Sequence, residues 1–124
     1  MKILVVDDEK DIQPLFLQRF RKEIRSGELK FEFAYSGEEA LKYLNGNQHE
    51  AVLILSDINM PGMSGLDLLD KIKKEHEIPP PFVMMITAYG DEENHKRAME
   101  LGADDFLTKP VDFNQLKVKI KTLL

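Results

Sequence analysis

Cysteine is absent from this chain, which excludes disulfide bonds and thiolate chemistry and points to a reducing cytoplasm. No apolar run approaches the roughly 18 residues of a membrane span. The N-terminus runs straight into strand-like sequence, with no secretory signal pattern. Basic residues are not in excess, and a net charge of −5 argues against direct nucleic acid binding by this domain. Low-complexity tracts, internal repeats and linkers are missing too. The 124 residues, 43% of them hydrophobic, therefore predict one domain with room for a proper core.

What is present is an apolar run, Leu53-Ile54-Leu55-Ser56, that ends in one carboxylate, Asp57, and breaks into Ile58-Asn59-Met60-Pro61-Gly62. A short apolar run bounded by turn residues reads as a buried parallel strand, here Ala51 to Ser56. Asp57 then stands at the strand's carboxyl end, where open α/β sheets keep their ligand crevices. A lone Asp there is most often turn chemistry. Three other apolar runs give it company: Val5-Val6-Asp7-Asp8, Met85-Ile86-Thr87-Ala88 and Phe106-Leu107-Thr108-Lys109-Pro110.

Lys2 to Val6 reads as the first strand, followed by a helix from about Asp11 to Arg25 with a broad apolar face of Ile12, Leu15, Phe16, Leu17 and Phe20. Pro14 fits the first turn if Asp11 is the N-cap, and Gly27 fits the stop. Lys30 to Tyr35 alternates as a strand near the sheet edge does, and Ser36-Gly37-Glu38-Glu39 opens a helix with a capping box. That helix turns Ala40, Leu41 and Leu44 inward and ends at Asn45-Gly46. After the central strand, Ser64 to Asp67 repeats the capping pattern for a helix lined by Leu66, Leu68, Leu69 and Ile72, stopped by Pro79-Pro80-Pro81. Phe82 to Ile86 is a fourth strand, Asp91 caps a helix to Leu101 that is poor in apolar residues, and Asp104 to Thr108 is a fifth strand. Asp112 opens a last helix carrying Phe113, Leu116, Ile120 and Leu123, with Val118 off that stripe. Alternation of this kind predicts an α/β, doubly wound, flavodoxin-like fold: a five-stranded parallel sheet of order 2-1-3-4-5 with five helices.

On that topology four strand ends converge on one crevice, bringing together Asp7, Asp8, Asp57, Thr87 and Lys109. Crowded carboxylates repel unless a cation neutralises them, and carboxylate oxygens with water suit Mg²⁺. An Asp57 oxygen is then a nucleophile for phosphorus, with Lys109 and Thr87 donating to phosphoryl oxygens. Singly, each residue has a plainer reading: Asp7-Asp8 a solvated loop, Thr87 a β-branched strand residue, Lys109 a loop lysine, and His49, His76 and His95 surface groups. Coincidence at four strand ends favours the joint reading.

The stretches VVDDE, SDINMPGMSG, ITAYGD and GADDFLTKP resemble the receiver domains of bacterial two-component response regulators, and the likeness covers the whole chain. It implies a receiver over residues 1–124, with any effector domain outside them, and a cytoplasmic signalling protein. It implies that Asp57 takes a phosphoryl group from a phosphohistidine of a sensor histidine kinase or phosphotransfer protein. It also implies Mg²⁺ held by Asp8, Asp57 and the backbone carbonyl of Asn59, with Asp7 acting through water. Thr87 and Phe106 resemble the family's switch pair, and Lys109-Pro110 its lysine with a cis peptide bond, which occurs at only about 5–6% of X–Pro bonds generally. Phe106 stands where Tyr is frequent, so it offers no hydroxyl to a partner, and Tyr89 stands where the family tunes access of water. The segment Arg25 to Lys30 lengthens the first helix and loop relative to a minimal receiver. The implied output surface is the helix Asp91 to Leu101, the fifth strand and the last helix, acting on a downstream protein or effector domain or through a homodimer. Three rivals fit less well. A non-phosphorylated interaction module would be expected to lose at least one of Asp8, Asp57 or Lys109, and all three are present. A haloacid-dehalogenase-like phosphotransferase would need Asp7 and Glu9 as nucleophile and acid, without its expected pattern from Asp8 to Gln13. A flavodoxin-like flavin protein would need a Ser/Thr/Gly-rich loop where this chain has acids.

Overall fold

The computed structural model describes residues 1–46, 53–75, 81–88 and 90–123. Along them run β1 (Lys2–Val6), α1 (Ile12–Arg19), α2 (Arg21–Arg25), β2 (Lys30–Ala34), α3 (Gly37–Gly46) and β3 (Leu53–Asp57). There follow α4 (Gly65–Glu75), β4 (Phe82–Thr87), α5 (Glu92–Glu100), β5 (Asp105–Thr108) and α6 (Phe113–Lys121). The five strands form one parallel sheet in the order β2-β1-β3-β4-β5, as the alternating pattern predicts. His49, His76, the Ala51 start of the third strand, Pro79-Pro80 and Tyr89 lie outside the described residues.

Side chains of a strand alternate between faces, so one sheet builds two cores. Ile3, Val5, Leu53, Leu55, Met84, Ile86 and Leu107 pack with Phe16, Phe20, Leu116 and Ile120 of the α1–α2 and α6 side. Leu4, Val6, Ile54, Val83 and Met85 pack with Ala40, Leu44, Leu68, Leu69, Ile72 and Ala98 of α3, α4 and α5. β3 is buried along its whole length and so reads as a near-continuous apolar run.

The expected helix from Asp11 to Arg25 divides at Phe20, where φ is −107° and ψ 21°, so six helical segments replace five. The hydrogen-bond ladder nevertheless crosses the break: Phe20 N–H donates to Phe16 O at 3.0 Å, and Ile24 N–H to Phe20 O at 2.9 Å. Phe20 itself is fully buried, 5.0 Å from the Phe31 ring and 6.1 Å from Phe113, so the kink re-aims α2 while its ring stays in the core. The apolar face of α1 is narrower than predicted. Phe16 is fully buried, whereas Leu15 and Leu17 are 39% and 40% exposed. Asp11 occupies the N-cap position in helical dihedrals, and its side chain makes no cap hydrogen bond. The other predicted caps form: Ser36 Oγ accepts from Glu39 N–H at 3.0 Å, and Ser64 Oγ from Asp67 N–H at 3.1 Å. Asp91 accepts from Asn94 N–H at 3.3 Å, and Asp112 from Asn114 N–H and Gln115 N–H at 3.0 and 3.2 Å.

Candidate functional site

Parallel register puts the ends of β1, β3, β4 and β5 on one edge: Val6 pairs with Ser56, Asp57 with Ile86, and Thr87 with Thr108. Asp57, Asp7 and Thr87 are 2%, 5% and 2% exposed, while Asp8 stands in the open. One oxygen each from Asp7, Asp8 and Asp57 lies within 4.8 Å of the others. Lys109, just beyond β5, sets its Nζ 2.6 Å from Asp57 Oδ2. Asp57 Oδ1 accepts from Asn59 N–H at 3.3 Å, and Asp7 Oδ1 from Glu9 N–H at 2.9 Å. A cleft of about 510 Å³ opens beside these groups, bounded by Asp7, Glu9, Ala88, Lys109 and Phe113. The Lys109–Pro110 peptide bond is cis.

Burial raises the pKa of Asp7 above its ordinary value, against the stabilising Glu9 N–H, and the negative charge of Asp57 adds to the rise. Burial opposes the charge of Lys109 as well. The hydrogen bond to Asp57 and the negative field of Asp57, Asp7 and Glu9 outweigh it, so the ammonium pKa lies above its usual value. Three hard oxygen donors, two of them buried, thus face one ammonium. The donor set fits Mg²⁺, which takes few carboxylates and keeps water in its remaining positions.

Gly65 is a positional requirement that the sequence reading did not single out. A Cβ there would stand 2.0 Å from the Asp57 carbonyl oxygen, so only glycine lets α4 start against the end of β3. Its signal lay in the Ser64-Gly65 pair that follows Pro61-Gly62, read there only as a cap.

Thr87 turns its hydroxyl toward β5, donating to Leu107 O at 3.5 Å. Phe106 pairs in register with Met85, two residues before Thr87, so the two residues share a face on neighbouring strands. Phe106 is half-buried against the core, and its ring stacks on His95 with centroids 3.9 Å apart and planes 20° from parallel. His95 is thereby half-buried rather than a free surface group, because the helix above β5 lays it on an aromatic face. A cavity of about 300 Å³ under α5 adjoins them, lined by Thr87, Ala88, Asp91, His95, Met99 and Thr108 among others. Asp7, Asp8, Asp57, Thr87 and Lys109 therefore meet at one edge, with Phe106 one step along the sheet.

A family model described as response regulator receiver domain matches residues 3–121. Response regulator RppA of Synechocystis is 33% identical over 123 residues, which cover 99% of this chain and 50% of that protein. Response regulator protein PilR of Pseudomonas aeruginosa is 40% identical over 125 residues, 99% of this chain and 26% of that protein. The chain thus spans half or less of the length of these curated relatives. Among solved structures, a response regulator receiver domain protein from Clostridium thermocellum superimposes with a TM-score of 0.84 at 32% identity, covering 98% of this chain and 91% of that one. The receiver domain of NtrX from Brucella abortus gives 0.80 at 34% identity, covering 97% and 95%.

Proposed function

This chain belongs to the response regulator receiver domain family, and from that premise we propose that it is a phosphorylation-activated signalling switch with Asp57 as the phosphoacceptor. An Asp57 carboxylate oxygen attacks phosphorus, the P–N bond of a kinase or phosphotransfer-protein phosphohistidine breaks, and its electron pair stays on the imidazole. The observation that carries this reading is the ion pair of Lys109 with Asp57 at 2.6 Å, inside a cluster of three carboxylates at the sheet's carboxyl edge.

Lys109 already lies on the carboxylate that receives the group, so a short movement transfers its ammonium to a phosphoryl oxygen. Asn59 N–H keeps Asp57 Oδ1 oriented for attack. Asp8, Asp57 and the Asn59 carbonyl would hold Mg²⁺, with Asp7 through water; when bound, the ion supplies the positive charge that lets an anionic phosphoryl group approach. Among the described residues the Thr87 hydroxyl has only a long hydrogen bond to Leu107 O to give up before it turns to the phosphoryl group. That turn vacates space beside the cavity under α5, and Phe106 rotates toward it, breaking its stack on His95. A charge event so becomes a packing event on the α5–β5–α6 face, which would act on a downstream partner, an effector domain or a second copy of the chain. The same site catalyses hydrolysis of its own acyl phosphate. Beryllofluoride, a phosphoryl mimic, tests the assignment: we expect tight binding in Mg²⁺ that Asp57→Asn abolishes, and undiminished binding by that variant sinks it.

A further inference from the structure

The loop between β3 and α4, residues 58–64, is fixed at its base by backbone bonds. Gly65 N–H donates to Ile58 O at 2.8 Å, and Ile58 N–H to Ile86 O at 3.2 Å. Its crest is held from another part of the chain. Glu38, in the first turn of α3, accepts the Met63 N–H on Oε1 at 3.0 Å, across 25 residues of sequence. The same oxygen lies 3.4 Å from where a Cβ would stand on Gly62, whose φ of +73° suits glycine. From the other side the Met63 side chain fills the space over buried Gly37, where a Cβ would meet its Cγ and Sδ at 2.9 Å. Positions 37 and 38 thus interlock with 62 and 63 through adjacent contacts. Backbone hydrogen bonds, its own and that of Met63, hold the Glu38 carboxyl below its ordinary pKa, so it accepts as a carboxylate at neutral pH.

We propose that Glu38 is a positioning residue for the cation site: it fixes the loop that carries Asn59 without touching Asp57, the cation or the phosphoryl group. This rests on the reading of the Asn59 carbonyl as a cation ligand. A loop carbonyl serves as a ligand only when its peptide is held still. The base bonds and the Asn59 N–H on Asp57 Oδ1 hold the loop's ends and the peptide before Asn59, and leave the Asn59–Met60 peptide, which bears the carbonyl, to the crest contact. Gly62 would otherwise act as a hinge three residues past Asn59. Loss of the crest contact therefore lowers affinity by letting Asn59 wander, on the order of tenfold, the low end of what removing an outer partner of a metal site costs.

Glu38→Ala and Glu38→Gln separate positioning from simple attraction between Glu38 and a cation. Both remove the charge, but the glutamine amide oxygen still accepts the Met63 N–H. Mg²⁺ affinity by titration calorimetry should fall on the order of tenfold in Glu38→Ala and stay within about twofold of the parent in Glu38→Gln. Amide exchange in the metal-free protein should speed up at Met63 in the first variant only. Equal loss in both variants, or parent-like affinity in Glu38→Ala, overturns the proposal, and so does unchanged exchange at Met63. Asp8→Asn separates this from the reading beneath it. If Asp8→Asn loses Mg²⁺ while Glu38→Ala does not, Glu38 alone is dismissed. If Asp8→Asn binds Mg²⁺ as the parent does, the cation site and the role of Glu38 fall together.

Discussion

Lys109 is the ammonium facing the carboxylate cluster, and its side chain is 38% exposed while that of Asp57 is only 3% exposed. A lysine placed this way does little for stability, since its exposed end is screened by water. Its removal should show in signalling instead. Lys109→Ala is expected to keep slow phosphorylation while losing the spectral change between free and beryllofluoride-bound protein, and a parent-like change makes Lys109 a bystander. Asp8 contributes repulsion in the metal-free state, so Asp8→Asn should weaken Mg²⁺ binding and leave the metal-free melting temperature unchanged or higher. A lower melting temperature contradicts that. Asp7 sets a pH dependence of definite sign. Its folded pKa lies above the ordinary value of 3.8, so the folded state holds that proton more tightly than the unfolded chain does. Its contribution is greatest below 3.8 and is lost as pH rises through the folded pKa, leaving a penalty at neutral pH. Metal-free Asp7→Asn should then lose this part of the pH slope and melt higher than the parent at pH 7, as calorimetric scans across acid and neutral pH would show.

At the scale of elements, α5 buries only Ala98, and Met99 on it is 59% exposed, so little apolar burial anchors this helix. Such an element lies at the low-stability end of a fold, where switches are drawn from. Hydrogen exchange with and without beryllofluoride should change most, outside the pocket, over α5 and around Phe106; changes gathered on α1 instead would refute this route. The contrast is Phe16, whose ring meets Phe20, Phe31, Phe33 and Phe113. Phe16→Ala should cost about 3–5 kcal/mol in denaturant unfolding while leaving the pocket chemistry alone in whatever protein stays folded.

Strands and most caps were legible in the sequence because they depend on neighbours within a few residues: apolar runs, Ser36, Ser64, Asp91 and Asp112. The convergence of Asp7, Asp57, Thr87 and Lys109 was legible because parallel topology fixes which strand ends share an edge. Leu15 and Leu17 were misassigned since periodicity marks a broad arc, whereas the part of the sheet beneath α1 covers only a stripe through Phe16 and Phe20. The Glu38–Met63 contact and the His95–Phe106 stack join segments far apart in sequence, and nothing local announces them.

Over the whole molecule, two cores on opposite faces of one sheet hold the pocket at an edge rigid on the β1–β3 side and lightly covered at α5. The face of α5, β5 and α6 presents Met99 and, at 64% exposure, Val118, which lies outside the buried Leu116–Ile120 stripe. Pairing of two copies there on activation would bury both. Light scattering should then show a larger mass with beryllofluoride, reduced in Val118→Asp, and an unchanged mass rules out the homodimer.

Phosphoryl transfer to Asp57 is the claim on which the switch depends, and peptide mapping by mass spectrometry after treatment with acetyl phosphate and Mg²⁺ tests it most directly. The expected result is a single acid- and base-labile phosphoryl group on the peptide containing Asp57, absent without Mg²⁺ and absent from Asp57→Asn. A phosphoryl group found on another residue, or labelling of Asp57→Asn equal to that of the parent, would contradict it.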